Sequence, residues 1–133
     1  MTEVSRARIG LADTSLFIAY EQSRAVRGEP PAELVVSVVT LGELRLGVLA
    51  APDDETRAQR LNTLSYVDAL EPLLIDRDVA GVWASLRLEL GTSNRRMPLN
   101  DSWIAATAVA HGLPVVTQDD DYDAVPGLAV IRV

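Results

Sequence analysis

Short β-branched runs alternate along this chain with longer stretches of helical spacing, and few architectures accept that order. The segments "RIGLAD", "LVVSVV", "LPVVTQD" and "LAVIRV" read as strands, with "EPLLID" as a further candidate. Between them, helices are predicted over "TSLFIAYEQS", over "TLGELRLGVLA", from Pro52 to about Leu70, over "RDVAGVWASLRLELG" closed by Gly91, and over "LNDSWIAATAVAHG". Gly28 and the Pro30–Pro31 pair mark one loop, and "TSNRRMP" reads as another. "LVVSVV" is apolar and β-branched almost throughout, as in a strand buried on both faces. The alternation predicts an α/β fold with a central parallel β-sheet flanked by α-helices. With 133 residues, no repeat and no low-complexity linker, it predicts a single domain over residues 1–133.

Composition removes several kinds of chemistry. Without cysteine there is no disulfide, no thiolate metal site and no cysteine nucleophile. Lysine is also absent, every one of the 12 basic residues being arginine, so P-loop and Schiff-base lysines are excluded. The net charge of −7 makes non-specific nucleic-acid binding unfavourable, because counterion release needs positive contacts. Any RNA contact must come from local arginines or bound cations. No apolar run is long enough for a membrane span and no signal-peptide pattern opens the chain, so a cytoplasmic protein with no membrane partner is expected.

In a parallel α/β sheet the ligand site lies beyond the carboxyl ends of the strands. Asp13 ends the first strand, and the burst Asp119, Asp120, Asp121 and Asp123 ends a later one. Glu43 and Asp101 fall near helix starts, which share that edge. Each acid has an ordinary explanation when taken alone. Asp13 is a fitting helix N-cap, Thr40-x-x-Glu43 fits a capping box, and Asp101 suits the positive end of a helix dipole.

Together they are harder to dismiss. Four carboxylates about 5 Å apart repel by roughly 3 kcal/mol per pair at an effective dielectric near 20. The total, on the order of 20 kcal/mol, exceeds the net stability of an ordinary domain. Some must be protonated, or a cation must bind. With oxygen ligands alone, Mg²⁺ or Mn²⁺ is the natural choice.

"ADTSLFIAY", "VVTLGELRLGV", "LNDSWIAATAVAHGLPVVTQDDDYD" and the closing "VPGLAVIRV" resemble, in order, the motifs of PIN domains, and specifically of VapC-type toxins. The likeness spans nearly the whole chain and is most specific over the third and fourth motifs. It implies a PIN-like fold and an Mg²⁺- or Mn²⁺-dependent endoribonuclease, with transfer or ribosomal RNA as the substrate class. It also implies a VapB-like antitoxin partner, a homodimer and larger toxin–antitoxin complexes. Carried over by position, Asp13 and Asp101 become the principal metal ligands, Glu43 supports the metal or orients its water, and Asp119 completes the site. Alternation along an extended segment puts Asp121 on the same side as Asp119 and Asp120 on the other, so Asp121 is the alternative fourth acid.

For the substrate, Arg95 and Arg96 form a pair just before Asp101, and Arg24 and Arg27 flank another loop. Guanidinium forks suit phosphate. Thr117 is a further candidate for an acid or a substrate phosphate, and Arg45 for holding a carboxylate. Trp83 and Trp103 read as core, as does the apolar side of "TLGELRLGVLA". The single histidine, His111, sits at a helix end and gives Ser15 no partner for nucleophilic hydrolysis. A dehalogenase-type phosphatase lacks its second aspartate, since Ser15 stands there, and its lysine. "DDDYD" also lacks the glycine and glutamate of an EF-hand loop. The remaining alternative is an inactive PIN-fold module that binds RNA or a partner without cleaving.

Overall fold

A computed structural model describes residues 8–133. In chain order the elements are β1 (Ile9–Ala12), α1 (Thr14–Glu21), β2 (Glu33–Val35), α2 (Val38–Leu49), α3 (Asp54–Asp68), α4 (Arg77–Thr92), α5 (Leu99–His111), β3 (Val115–Thr117) and β4 (Val130–Arg132). The strands form one sheet in the order β2-β1-β3-β4, with every neighbouring pair parallel. This is the expected α/β sheet flanked by helices.

Alternation along the central strands builds two cores. Leu11 and Val115 face one side, where they meet Leu86 and Leu90 of α4 and Ile104, Ala105 and Ala108 of α5. Their successors Ala12 and Val116 face the other side, against Leu16 and Phe17 of α1, Leu44 and Val48 of α2, and Leu64 and Val67 of α3. Gly10 lets the middle of the sheet close, because a Cβ there would lie 2.5 Å from Val116 Cγ2. Gly112, at φ 67°, takes the left-handed turn that ends α5 and leads the chain into β3. The registers Ala12↔Val116 and Thr117↔Arg132 bring the ends of β1, β3 and β4 to one edge.

Three local expectations give way. "LVVSVV" is not a single strand: β2 stops at Val35, and α2 begins at Val38, capped by Ser37, whose side chain accepts from the Val39 amide. Thr40, Leu44 and Val48 recur every four residues and bury one stripe of α2, so helical packing outweighs the local β preference. The proposed Thr40–Glu43 capping box therefore lies inside the helix. "EPLLID" contributes only a parallel bridge between Ser37 and Leu73. Helix α4 continues through Gly91 to Thr92, and Asn94, at φ 55°, makes the left-handed turn instead.

Candidate active site

Asp13 lies one residue beyond β1 and is 2% exposed. It does cap α1, yet the cap uses only part of its capacity. Oδ1 accepts from the Ser15 amide at 3.0 Å and the Ser15 hydroxyl at 2.6 Å, and Oδ2 accepts from the Thr117 hydroxyl at 2.8 Å. These bonds fix the carboxylate plane. Burial nevertheless prevails and raises its pKa, with the Asp119 charge adding to the effect. Thr117 is fully buried and also accepts from the Asp119 amide at 2.9 Å. Its place is behind the acids, so of its two expected roles the contact with substrate phosphate gives way.

Glu43, on the second turn of α2, reaches across to α1 and α5. Thr14 Oγ1 donates to Oε1 at 2.5 Å and Asn100 Nδ2 to Oε2 at 3.3 Å. Thr14 also lies 3.1 Å from Thr40, which binds the start of α2 to the start of α1. The half-buried Glu43 is thus held at both oxygens from two other helices.

Asp101 occupies the first turn of α5, which has no side-chain cap of its own. Its pKa is pushed up to about 7, first by burial, then by the adjacent Asp121 carboxyl and the Asp13 charge. Asp119 is raised as well, by burial and by Asp121, against a partly compensating Arg24 and with a smaller push from Asp120. The acidic burst therefore divides. Asp119 and Asp121 act on Asp13 and Asp101, whereas Asp120 and Asp123 pair with Arg132 of β4.

The arginines are less uniform than their spacing suggests. Arg24 reaches the rim of the site, because Ser23 takes a left-handed turn after α1 and Gln118 holds the loop through Ala25 O at 3.0 Å. Arg95 donates to Ala124 O at 3.2 Å, just beyond the burst, and Arg96 is exposed on the same loop. Arg45 is exposed and pairs with no acid among the described residues. Trp83 and Trp103 are not core: both are half-buried and stack at 4.2 Å, with Trp83 Nε1 donating to Ser102. His111 is exposed in the last turn of α5, as expected of a polar helix end.

Thr14, Ser15, Asn100 and Tyr122 complete the surroundings of the acids. Spacing alone did not mark them as functional, although each adjoins a motif acid or lies within two residues of one. As the side chains stand, no three acidic, histidine or cysteine side chains among the described residues are closed enough to enclose an ion. The donor set still suits a hard cation. It is all oxygen, it is crowded enough to hold protons near neutrality, and an ion such as Mg²⁺ needs only one or two direct carboxylates while keeping its waters.

Acids gathered around the buried Asp13 at the carboxyl edge of a parallel α/β sheet define the class, and the chain belongs to the PIN-domain family, whose profile matches residues 11–128. Within that family it is of the VapC type. Ribonuclease VapC4 of Mycobacterium tuberculosis (strain ATCC 25618 / H37Rv) is 52% identical over 130 residues, spanning 95% of this chain and 98% of that protein. Ribonuclease VapC5 of the same strain is 49% identical over 125 residues, with 93% of each chain covered. Among solved structures, a chain of the VapBC-5 toxin–antitoxin crystal structure from M. tuberculosis superposes with a TM-score of 0.83 at 48% identity, covering 96% of this chain and 100% of that one.

Proposed function

We propose that the chain is a metal-dependent endoribonuclease, the toxin of a type II toxin–antitoxin pair. The observation that carries this reading is the convergence of Asp13, Asp101, Asp119 and Asp121 on one another while the nearby Arg132 is spent on Asp120 and Asp123. A fold under no functional demand would place its cation among the crowded acids. Asp13, Asp101 and Asp121 are the residues to hold Mg²⁺ or Mn²⁺, with Asp119 and Glu43 at the margin or acting through water. A cation bound there supplies charge for a phosphate and makes water a better nucleophile.

The chain's own groups supply position. Ser15 and Thr117 keep Asp13 from turning away, and Thr14 and Asn100 leave Glu43 aimed at the same space, where it can orient a water and take its proton. Arg24 on one rim, with Arg95 and Arg96 on another, gives the RNA backbone positive contacts that the net charge of −7 otherwise denies it. Neither of two cavities among the described residues includes a motif acid; one, of about 1170 Å³, lies at the opposite, amino end of the strands between Arg8, Pro31 and Pro114. An open rim suits a polymer better than a small molecule.

The relatives named above include a toxin solved in a toxin–antitoxin system, which supports a VapB-like antitoxin as partner here. The sequence placed α2 in the core, and Leu44 and Val48 are there, but Leu46 and Leu49 stand 66% and 72% exposed. That outer stripe is apolar surface for an antitoxin to cover.

Calorimetric titration with Mg²⁺ and Mn²⁺, on the antitoxin-free protein and on Asp13→Asn/Asp101→Asn, tests the metal site. Saturable binding lost in the double variant is expected. RNA cleavage by the wild type, abolished by Asp101→Asn, is the matching activity result. RNA binding without cleavage, at saturating metal, overturns the enzyme reading in favour of a binding module.

A further inference from the structure

Tyr122 is a poor choice for its position if only packing matters. It is fully buried, and its ring lies in the core beside Leu11, Leu86, Ile104 and Val115. Its hydroxyl is the one buried side-chain polar atom among the described residues without a hydrogen-bond partner. Phenylalanine would fill the same space without leaving an unsatisfied donor. A tyrosine hydroxyl keeps its proton at neutral pH, and this one stands near the carboxyl groups of Asp13, Asp101 and Glu43. It is therefore a permanent donor in search of an acceptor.

The neighbouring acids differ in their need for one. Asp13 already receives Ser15 and Thr117, and Glu43 receives Thr14 and Asn100. Asp101 has instead the Asp121 carboxyl and the Tyr122 hydroxyl as neighbours, the hydroxyl near but short of a formed bond. We propose that Tyr122 is a positioning residue for Asp101, its hydroxyl donating to that carboxylate once Asp101 turns from Asp121 to hold a cation. The inference rests on the metal site proposed above. It assigns the buried hydroxyl the task that Ser15 and Thr117 perform for Asp13, delivered from the core side.

Tyr122→Phe keeps the ring and removes only the donor, so function and packing should move in opposite directions. Without metal, the variant is expected to unfold at the same temperature as wild type or slightly higher, because an unsatisfied buried hydroxyl is gone. Its calorimetric Mn²⁺ affinity should fall roughly tenfold, as when a hydrogen-bond partner of a metal ligand is lost. The rise in melting temperature on adding Mn²⁺ should shrink accordingly. A metal-free variant that melts lower yet binds Mn²⁺ like wild type overturns the inference and makes Tyr122 a packing residue. Wild-type protein that binds no Mn²⁺ overturns both this inference and the metal site, since Asp101 then has no cation to hold.

Discussion

Two pairs of aspartates, interleaved within five residues, have opposite surroundings. Asp120 and Asp123 are solvated and share one guanidinium, Arg132 Nη2 lying 3.3 Å from Asp120 Oδ1 and closer still to Asp123. Asp119 and Asp121 turn to Asp13 and Asp101, where burial and like charge raise the pKa of Asp13 and Asp119 and push that of Asp101 up to about 7. The residue type is the same and the backbone nearly shared. What differs is that one pair shares a bonded arginine, whereas the other faces further carboxylates, with Arg24 compensating Asp119 only in part. Charge repulsion at the second pair is thus a local property of the site, not a consequence of the chain's overall acidity.

Substitution should divide the pairs most sharply. Asp101→Asn or Asp121→Asn is expected to reduce Mn²⁺ affinity and RNA cleavage by at least about a hundredfold, since each removes a ligand and not merely its support. Asp120→Asn, measured in the same assays, should stay within about twofold of wild type. Equal losses for Asp120→Asn and Asp121→Asn would erase the distinction. A smaller effect, roughly tenfold in cleavage, is expected for Thr14→Val or Asn100→Ala, which free one oxygen of Glu43. Mn²⁺ affinity should change little in those variants if Glu43 serves the water more than the metal.

How far the site was legible depends on where its residues sit. Asp13 and Asp101 stand at an unambiguous strand end and helix start, so topology alone carries them to the right edge. Glu43 was carried to this edge on a wrong premise. "LVVSVVT" has the composition of a strand, and nothing local reveals that Ser37 caps a helix whose buried stripe is Thr40, Leu44 and Val48. The holders of Glu43 are invisible for a different reason: Thr14 and Asn100 meet it over 29 and 57 residues of chain, and only their adjacency to Asp13 and Asp101 hints at them. The division of the burst was half readable. Alternation set Asp120 apart from its neighbours on a wrong premise, because β3 stops at Thr117 and the burst lies in bends and turns, not in an extended segment; the clasp depends on β4 pairing beside β3 in the register Thr117↔Arg132.

Titration gives the next sharpening. Folding raises the Asp101 pKa from 3.8 to about 7, and Asp13 and Asp119 shift in the same direction. Between those values the native state binds more protons than the unfolded chain, so metal-free stability must fall as pH rises. Melting temperatures without metal are expected to decrease from about pH 5 to about pH 8 on these shifts, and Asp101→Asn should flatten much of the slope. Saturating Mn²⁺ should act oppositely, stabilising more at higher pH, because the ligands must be ionised to bind it. A metal-free protein whose stability rises through this window would contradict the crowding at Asp101.

The smallest effect belongs to the arginine-bound pair. Arg132 is nearly half exposed, as is Asp123, and Asp120 more so, so water and salt screen most of what they gain from one another. Arg132→Met should therefore lower the melting temperature only slightly at low ionic strength, and the difference should vanish in high salt. Its informative consequence lies across the burst: with the clasp gone, Asp120 and Asp123 are free to add negative charge near Asp119. Mn²⁺ affinity at low salt should then hold steady or rise slightly, since extra carboxylates attract a cation even when they do not ligate it. A marked fall in affinity would mean that Arg132 shapes the turn that presents Asp121, and that the two pairs are one structural unit, not two electrostatic environments.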